Sequence, residues 1–127
     1  MKIAIVDDDP IFQFLTRKLI EKTVPGHELL IFNDGQYALD FIQTNRTLLQ
    51  ALPELILLDI NMPILNGWQF LDHLKKLEAT DYQPMIYMIS SSVDPADVLK
   101  SQTYAELKGY LNKPLSRQQL TELLNDK

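Results

Sequence analysis

Acidic, hydroxyl and lysine side chains gather at four places in this chain, each just after a short apolar run. Ile3-Ala4-Ile5-Val6 leads into Asp7-Asp8-Asp9, and Leu55-Ile56-Leu57-Leu58 leads into Asp59. Met85-Ile86-Tyr87-Met88-Ile89 leads into Ser90-Ser91-Ser92, and Gly109-Tyr110-Leu111-Asn112 leads into Lys113-Pro114. Carboxylates crowded together repel one another unless a cation or a proton joins them. Oxygen ligands without cysteine or histidine select a hard cation: Mg²⁺ first, with Mn²⁺ as the alternative. Mg²⁺ takes few protein ligands and keeps several waters, so it can also hold a phosphate oxygen. A lysine pairs with the same phosphate as a point charge, and the Ser90 hydroxyl can donate to another of its oxygens. Metal, ammonium and hydroxyl together stabilise charge on a phosphoryl group in transfer. The carboxylate not needed for the metal can then act as nucleophile and form an aspartyl phosphate.

Taken singly, each group has an ordinary explanation. Asp9 before Pro10 reads as a helix cap. Asp7 and Asp8 alone would be solvated loop acids, Asp59 a turn cap, the serines a polar loop and Lys113 a surface lysine. The weight lies in their joint occurrence at four apolar run ends. His27 and His73 sit apart from these groups, and Trp68 reads as helix packing.

The elements that must position these groups follow from the hydrophobic pattern. The apolar runs, with Leu29-Leu30-Ile31-Phe32 and a weaker one over 109–112, read as strands buried on both faces, as in parallel sheets. Helices fill the gaps. Asp9-Pro10 opens the first, with Ile11, Leu15 and Leu19 on one face and Pro25-Gly26 as its end. Asp34 caps a second that holds Tyr37, Phe41 and Ile42; residues 45–52 extend it or form a loop. Trp68, Leu71, Leu74 and Leu77 form the stripe of a third. Asp94-Pro95 opens a fourth with Asp97 in its first turn, and Ser116 with Gln119 makes a capping box for a fifth that buries Leu120, Leu123 and Leu124. Strand–helix alternation implies right-handed crossovers and a doubly wound five-stranded parallel sheet flanked by five helices, in the order 2-1-3-4-5. Ligands bind such folds outside the carboxyl ends of the strands, and this order makes the ends of strands one and three neighbours.

Length and composition bound the rest. The 127 residues make one domain, expected over 1–127 without an effector domain. A net charge of −5 argues against a nucleic-acid partner. The absence of cysteine excludes disulfides, thiolate metal sites and thiol nucleophiles. No apolar run approaches the ~20 residues of a membrane span, and the acidic cluster follows Met1-Lys2 too closely for a signal peptide. The expected setting is the cytoplasm, with no membrane partner.

At this point the chain resembles, over essentially its whole length, the CheY-like receiver domain of bacterial response regulators. The motifs are Ile5-Val6-Asp7-Asp8-Asp9, Leu57-Leu58-Asp59-Ile60-Asn61-Met62-Pro63 with Gly67 beyond it, Ile89-Ser90-Ser91, and Gly109-Tyr110-Leu111-Asn112-Lys113-Pro114. The resemblance implies that Asp59 is the modified residue, the phosphoacceptor. It implies that Asp8 holds Mg²⁺ directly and Asp7 through water, with Asp59 and the Asn61 carbonyl as further ligands. Ser90 and Lys113 would contact the phosphoryl oxygens, and a cis bond before Pro114 would aim Lys113. Ser90 stands where threonine is commoner, and the stretch from the second helix to strand three is longer than usual.

The expected mechanism is transfer of a phosphoryl group from a phosphohistidine, on a sensor histidine kinase or a His phosphotransfer protein, to Asp59. The chain would catalyse only its own phosphorylation and dephosphorylation, with Asn61 and Ser92 flanking the attacking water. Ser90 would move toward the new oxygens and Tyr110 would turn inward, remodelling a face that includes Val98, Leu99, Tyr104 and Leu107 for an output protein not named by the sequence. Three rivals fare worse. A small phosphohydrolase of this type needs a second carboxylate two residues after the nucleophile, where this chain has Asn61. A flavin carrier needs a Ser/Thr/Gly phosphate loop after strand one, where this chain has acids. A pseudo-receiver would not need the intact set Asp8, Asp59, Ser90 and Lys113.

Overall fold

A computed structural model describes residues 1–23, 26–77, 81–91 and 94–125. Strands and helices alternate: β1 (Lys2–Val6), α1 (Pro10–Thr23), β2 (Glu28–Phe32), α2 (Gly35–Thr44), β3 (Leu55–Asp59), α3 (Gly67–Lys76), β4 (Met85–Ser90), α4 (Pro95–Ser101), β5 (Leu107–Asn112) and α5 (Arg117–Asn125). The strands form one parallel sheet in the order β2-β1-β3-β4-β5, as the alternation predicts.

The apolar runs that fill the interiors of β1, β3 and β4 have a plain cause: helices cover both faces. Ile3, Ile5, Leu55, Leu57, Tyr87 and Ile89 pack with Phe12 and Ile20 of α1 and with Leu120, Leu123 and Leu124 of α5. Ala4, Val6, Ile56, Leu58, Ile86 and Met88 pack on the other face with α2 and α3. Register then does the positioning. Val6 pairs with Leu58, so Asp7 and Asp59 are the next residues on neighbouring strands. Ser90 pairs with Asn112, which brings Lys113 level with the same edge.

Most helix signals hold. Asp9 Oδ1 accepts from Ile11 N at 2.9 Å, and Asp34 Oδ1 from Tyr37 N at 2.9 Å. Asp94 caps α4, and Ser116 and Gln119 close their capping box. Two expectations need correction. The buried face of α1 is Phe12, Thr16 and Ile20, whereas Ile11 and Leu15 are exposed. Two apolar stripes run one residue apart on this helix, and the one carrying the Phe12 ring faces the sheet. Tyr37, Phe41 and Ile42 all lie in α2 as expected; Ile42 is buried with Ala38 and Leu39, while Tyr37 is exposed. Strand β5 begins at Leu107, two residues before the weak run read from the sequence. Of the two alternatives for residues 45–52 the loop holds: α2 ends at Thr44, and the connection carries a short 3-10 turn over Leu49–Ala51. In α3, Phe70 joins Trp68 and Leu71 in the core, while Leu77 caps the helix end. Pro25 lies outside the described residues; α1 ends at Thr23 and Gly26 follows with φ +94°.

Candidate functional site

The carboxyl edge of the sheet gathers the groups that the sequence scatters. Asp7 and Asp59 are almost fully buried, at 1% and 5% exposure, while Asp8 is exposed beside them. One carboxylate oxygen from each of Asp7, Asp8 and Asp59 lies within 4.8 Å of the others. Lys113 enters from β5 and places its Nζ 2.6 Å from Asp7 Oδ2 and 3.4 Å from Asp59 Oδ1. The Lys113–Pro114 peptide is cis, as the resemblance implies. Ser90 is buried at the end of β4, and its carbonyl accepts from the Lys113 N–H at 2.8 Å.

Local bonds hold these groups in place. Asp7 N donates to Phe32 O, extending the β1–β2 ladder by one residue. Asp7 Oδ1 accepts from Asp9 N at 2.8 Å, and Asp7 O accepts from Gln13 Nε2 at 2.6 Å. Past β3 the chain turns under Gly67, whose N–H donates to Ile60 O at 2.8 Å. The Phe12 ring lies under Lys113, 4.7 Å from its Nζ, a cation–π contact. The sequence reading missed Phe12 and Gln13 at the site. The signal for Phe12 was the second apolar stripe of α1.

The electrostatics follow from crowding. Burial, and then the charge of Asp7, raise the Asp59 pKa from 3.8 to about 6, against the pull of Lys113 and the Asn61 N–H. Burial also raises Asp7, opposed by Lys113 and the Asp9 N–H. Burial works to lower the Lys113 pKa, but Asp7 and Asp59 outweigh it and the net shift is upward. Three converging carboxylates with one lysine to balance them fit a small divalent cation. Asn61, just past β3, is exposed at the same edge. Tyr110 is half-buried on β5 against the α2/α3 layer. Ser92 lies outside the described residues.

A pH dependence follows with a definite sign. A carboxyl whose folded pKa exceeds its unfolded value stabilises the fold when protonated, and this contribution is lost as pH rises through the folded value. The metal-free chain is therefore expected to lose on the order of 2 kcal/mol from Asp59 between about pH 4 and about pH 7.5. Chemical denaturation of wild type and Asp59→Asn at both pH values isolates the effect. A difference between them that stays constant with pH refutes the coupling. A divalent cation held by these carboxylates would compete with the proton, so its affinity would fall below about pH 6.

Comparison with known proteins agrees with this geometry. The family model described as response regulator receiver domain matches residues 3–125. The chain is 34% identical over 119 residues to the transcriptional regulatory protein CpxR of Escherichia coli (strain K12), covering 94% of this chain and 45% of CpxR. A two-component response regulator from Cytophaga hutchinsonii superposes with a TM-score of 0.85 at 30% identity, covering 98% of this chain and 93% of that one. The Mn²⁺-bound form of response regulator Rcp1 superposes with a TM-score of 0.75 at 26% identity, covering 97% of this chain and 88% of that one. The chain belongs to the response regulator receiver domain family, the CheY-like domains of two-component signalling. It spans less than half the length of CpxR.

Proposed function

We propose that this receiver takes a phosphoryl group onto Asp59 from a phosphohistidine of a sensor histidine kinase or a His phosphotransfer protein. The observation that carries the reading is the recessed Asp59 carboxylate flanked by Asp7, Asp8 and the Lys113 ammonium. An Asp59 oxygen attacks phosphorus, a P–O bond forms, the P–N bond breaks, and its electron pair returns to the imidazole. Hydrolysis reverses the modification: water attacks phosphorus, the Asp59 carboxylate leaves, and inorganic phosphate is released. The chain catalyses no reaction on any other substrate.

Asp7, Asp8 and Asp59, with the Asn61 carbonyl, would hold Mg²⁺ or Mn²⁺, the Asp7 contact running through water. When bound, the ion supplies positive charge that offsets the phosphoryl oxygens and the carboxylates together. Lys113 gives a second positive charge, already desolvated by its burial and by the Phe12 ring below it. The Ser90 hydroxyl donates to a third phosphoryl oxygen. Burial keeps the Asp59 carboxylate poorly hydrated, so it sheds little water on attack.

Phosphorylation adds about −1.5 to −2 charges at this edge. Ser90 and Tyr110 carry the change to the face of α4, β5 and α5, where an output protein binds. Leu99 is exposed there, with Val98, Tyr104 and Leu107 half-buried around it. Asn61 and Ser92 set the lifetime of the acyl phosphate. Among the described residues no helix is long and apolar enough to cross a membrane. We place this chemistry in the cytoplasm, with neither nucleic acid nor membrane as the domain's own partner.

The test is incubation with phosphoramidate and Mg²⁺, read by intact mass. A gain of one phosphoryl group, lost on chelation of the metal, is the expected result. The same gain with the metal chelated would refute the role of the acidic cluster. No gain under either condition would favour a pseudo-receiver that acts by binding alone.

A further inference from the structure

We propose that phosphorylation also reaches α4 through α3, by way of an aromatic latch between Trp68 and Tyr104. This inference rests on the phosphoacceptor reading above and adds a route that bypasses Tyr110. It begins at Gly67, where a Cβ would lie 2.6 Å from the Asp59 carbonyl oxygen and 3.1 Å from the Met88 sulfur. The first residue of α3 is thus wedged against the backbone of the residue that is modified. A shift of that backbone has no slack to absorb it and passes into the first turn of α3.

Trp68 is the next residue. It is 7% exposed, and its ring centroid lies 5.2 Å from that of Tyr104, at 35°. The Lys100 Nζ sits 5.0 Å from the Trp68 ring, and the Lys75 Nζ 5.7 Å from the Tyr104 ring. The Tyr104 hydroxyl donates to Asp72 Oδ1 at 3.1 Å. Trp68, Asp72 and Lys75 are spaced i, i+4, i+7, so one stripe of α3 grips the last turn of α4 and the turn into β5. Helix α4 is short and buries none of its own side chains, so these contacts do much to seat it. In the resting state the latch is closed. Phosphorylation of Asp59 moves the first turn of α3, separates the two rings and frees α4.

Trp68 is the sole tryptophan, so its emission reads the latch directly. The experiment follows emission while phosphoramidate and Mg²⁺ load the chain, with occupancy read by intact mass. Emission is expected to shift to the red in proportion to occupancy, and to do so equally in Tyr110→Ala. Tyr104→Ala is expected to start at the red-shifted position and shift no further. Coupling is reciprocal for binding, so Tyr104→Ala should also bind beryllofluoride with Mg²⁺ about threefold or more tightly. Tyr104→Phe keeps the ring but loses the bond to Asp72, and is expected to fall between; it carries the test if Tyr104→Ala does not fold. Unchanged emission at full occupancy, a shift abolished by Tyr110→Ala, or unaltered beryllofluoride affinity in both Tyr104 variants overturns the latch while leaving Asp59 as the acceptor. No phosphoryl gain in any chain overturns both.

Discussion

Asp59→Asn is expected to abolish phosphoryl uptake from phosphoramidate and, at neutral pH without metal, to make the chain more stable. The two effects share one cause. The wild-type carboxylate is almost fully buried beside Asp7, and burial with that neighbouring charge pushes its pKa up to about 6. At neutral pH it is held ionised against that preference, with Lys113 the counter-charge among the described residues. The amide keeps the shape and removes the charge, so a gain on the order of 2 kcal/mol is expected in urea denaturation. The gain matters for interpretation, because a more stable variant that takes up no phosphoryl group has not lost it by unfolding. Asp59→Asn that still gained the phosphoryl mass would place the acceptor elsewhere. Asp59→Asn that was less stable would mean that Asp59 holds the edge together rather than straining it.

Among the four glycines, Gly67→Ala should have the largest cost. Its Cβ would stand 2.6 Å from a backbone oxygen and 3.1 Å from the Ile60 Cα, neither of which can rotate away. Either the end of β3 or the start of α3 must shift. Overpacking costs about 1–3 kcal/mol, here toward the upper end because the neighbours are backbone, a fall of roughly 10 °C in Tm for a domain of this size. The displaced atoms include the backbone of Asp59, so uptake from phosphoramidate should slow by at least about tenfold in the fraction that stays folded. Gly26→Ala is the contrast. A Cβ there meets nothing within 4 Å, and the cost is only that of a left-handed φ of +94°. Similar losses at the two positions would mean that the space at Gly67 is not the constraint.

What could be read in advance divides along a physical line. The central strands were legible because a strand buried on both faces must be apolar at nearly every position, and few other elements have that signature. Caps were legible because Asp9, Asp34, Asp94 and Ser116 act within a few residues of themselves. The inward face of α1 was not, because Ile11, Leu15 and Leu19 offer as apolar a stripe as Phe12, Thr16 and Ile20. Only the shape of the sheet surface and of α5 chooses between them. The same limit hid Phe12 beneath Lys113 and Trp68 against Tyr104, since both contacts join residues far apart in the chain.

By itself the sequence determined the kinds of group available, namely carboxylates, a hydroxyl and a lysine at strand ends, and the alternation that puts strand ends on one edge. The tertiary structure decided that β1 lies beside β3 in a register making Asp7 and Asp59 neighbours. It decided that Lys113 bridges them and that their shared burial makes both carboxyls hold their protons more tightly. The reason is that residue type is a local property, whereas charge repulsion and desolvation depend on distance and on what excludes water, and those exist only once the sheet has closed.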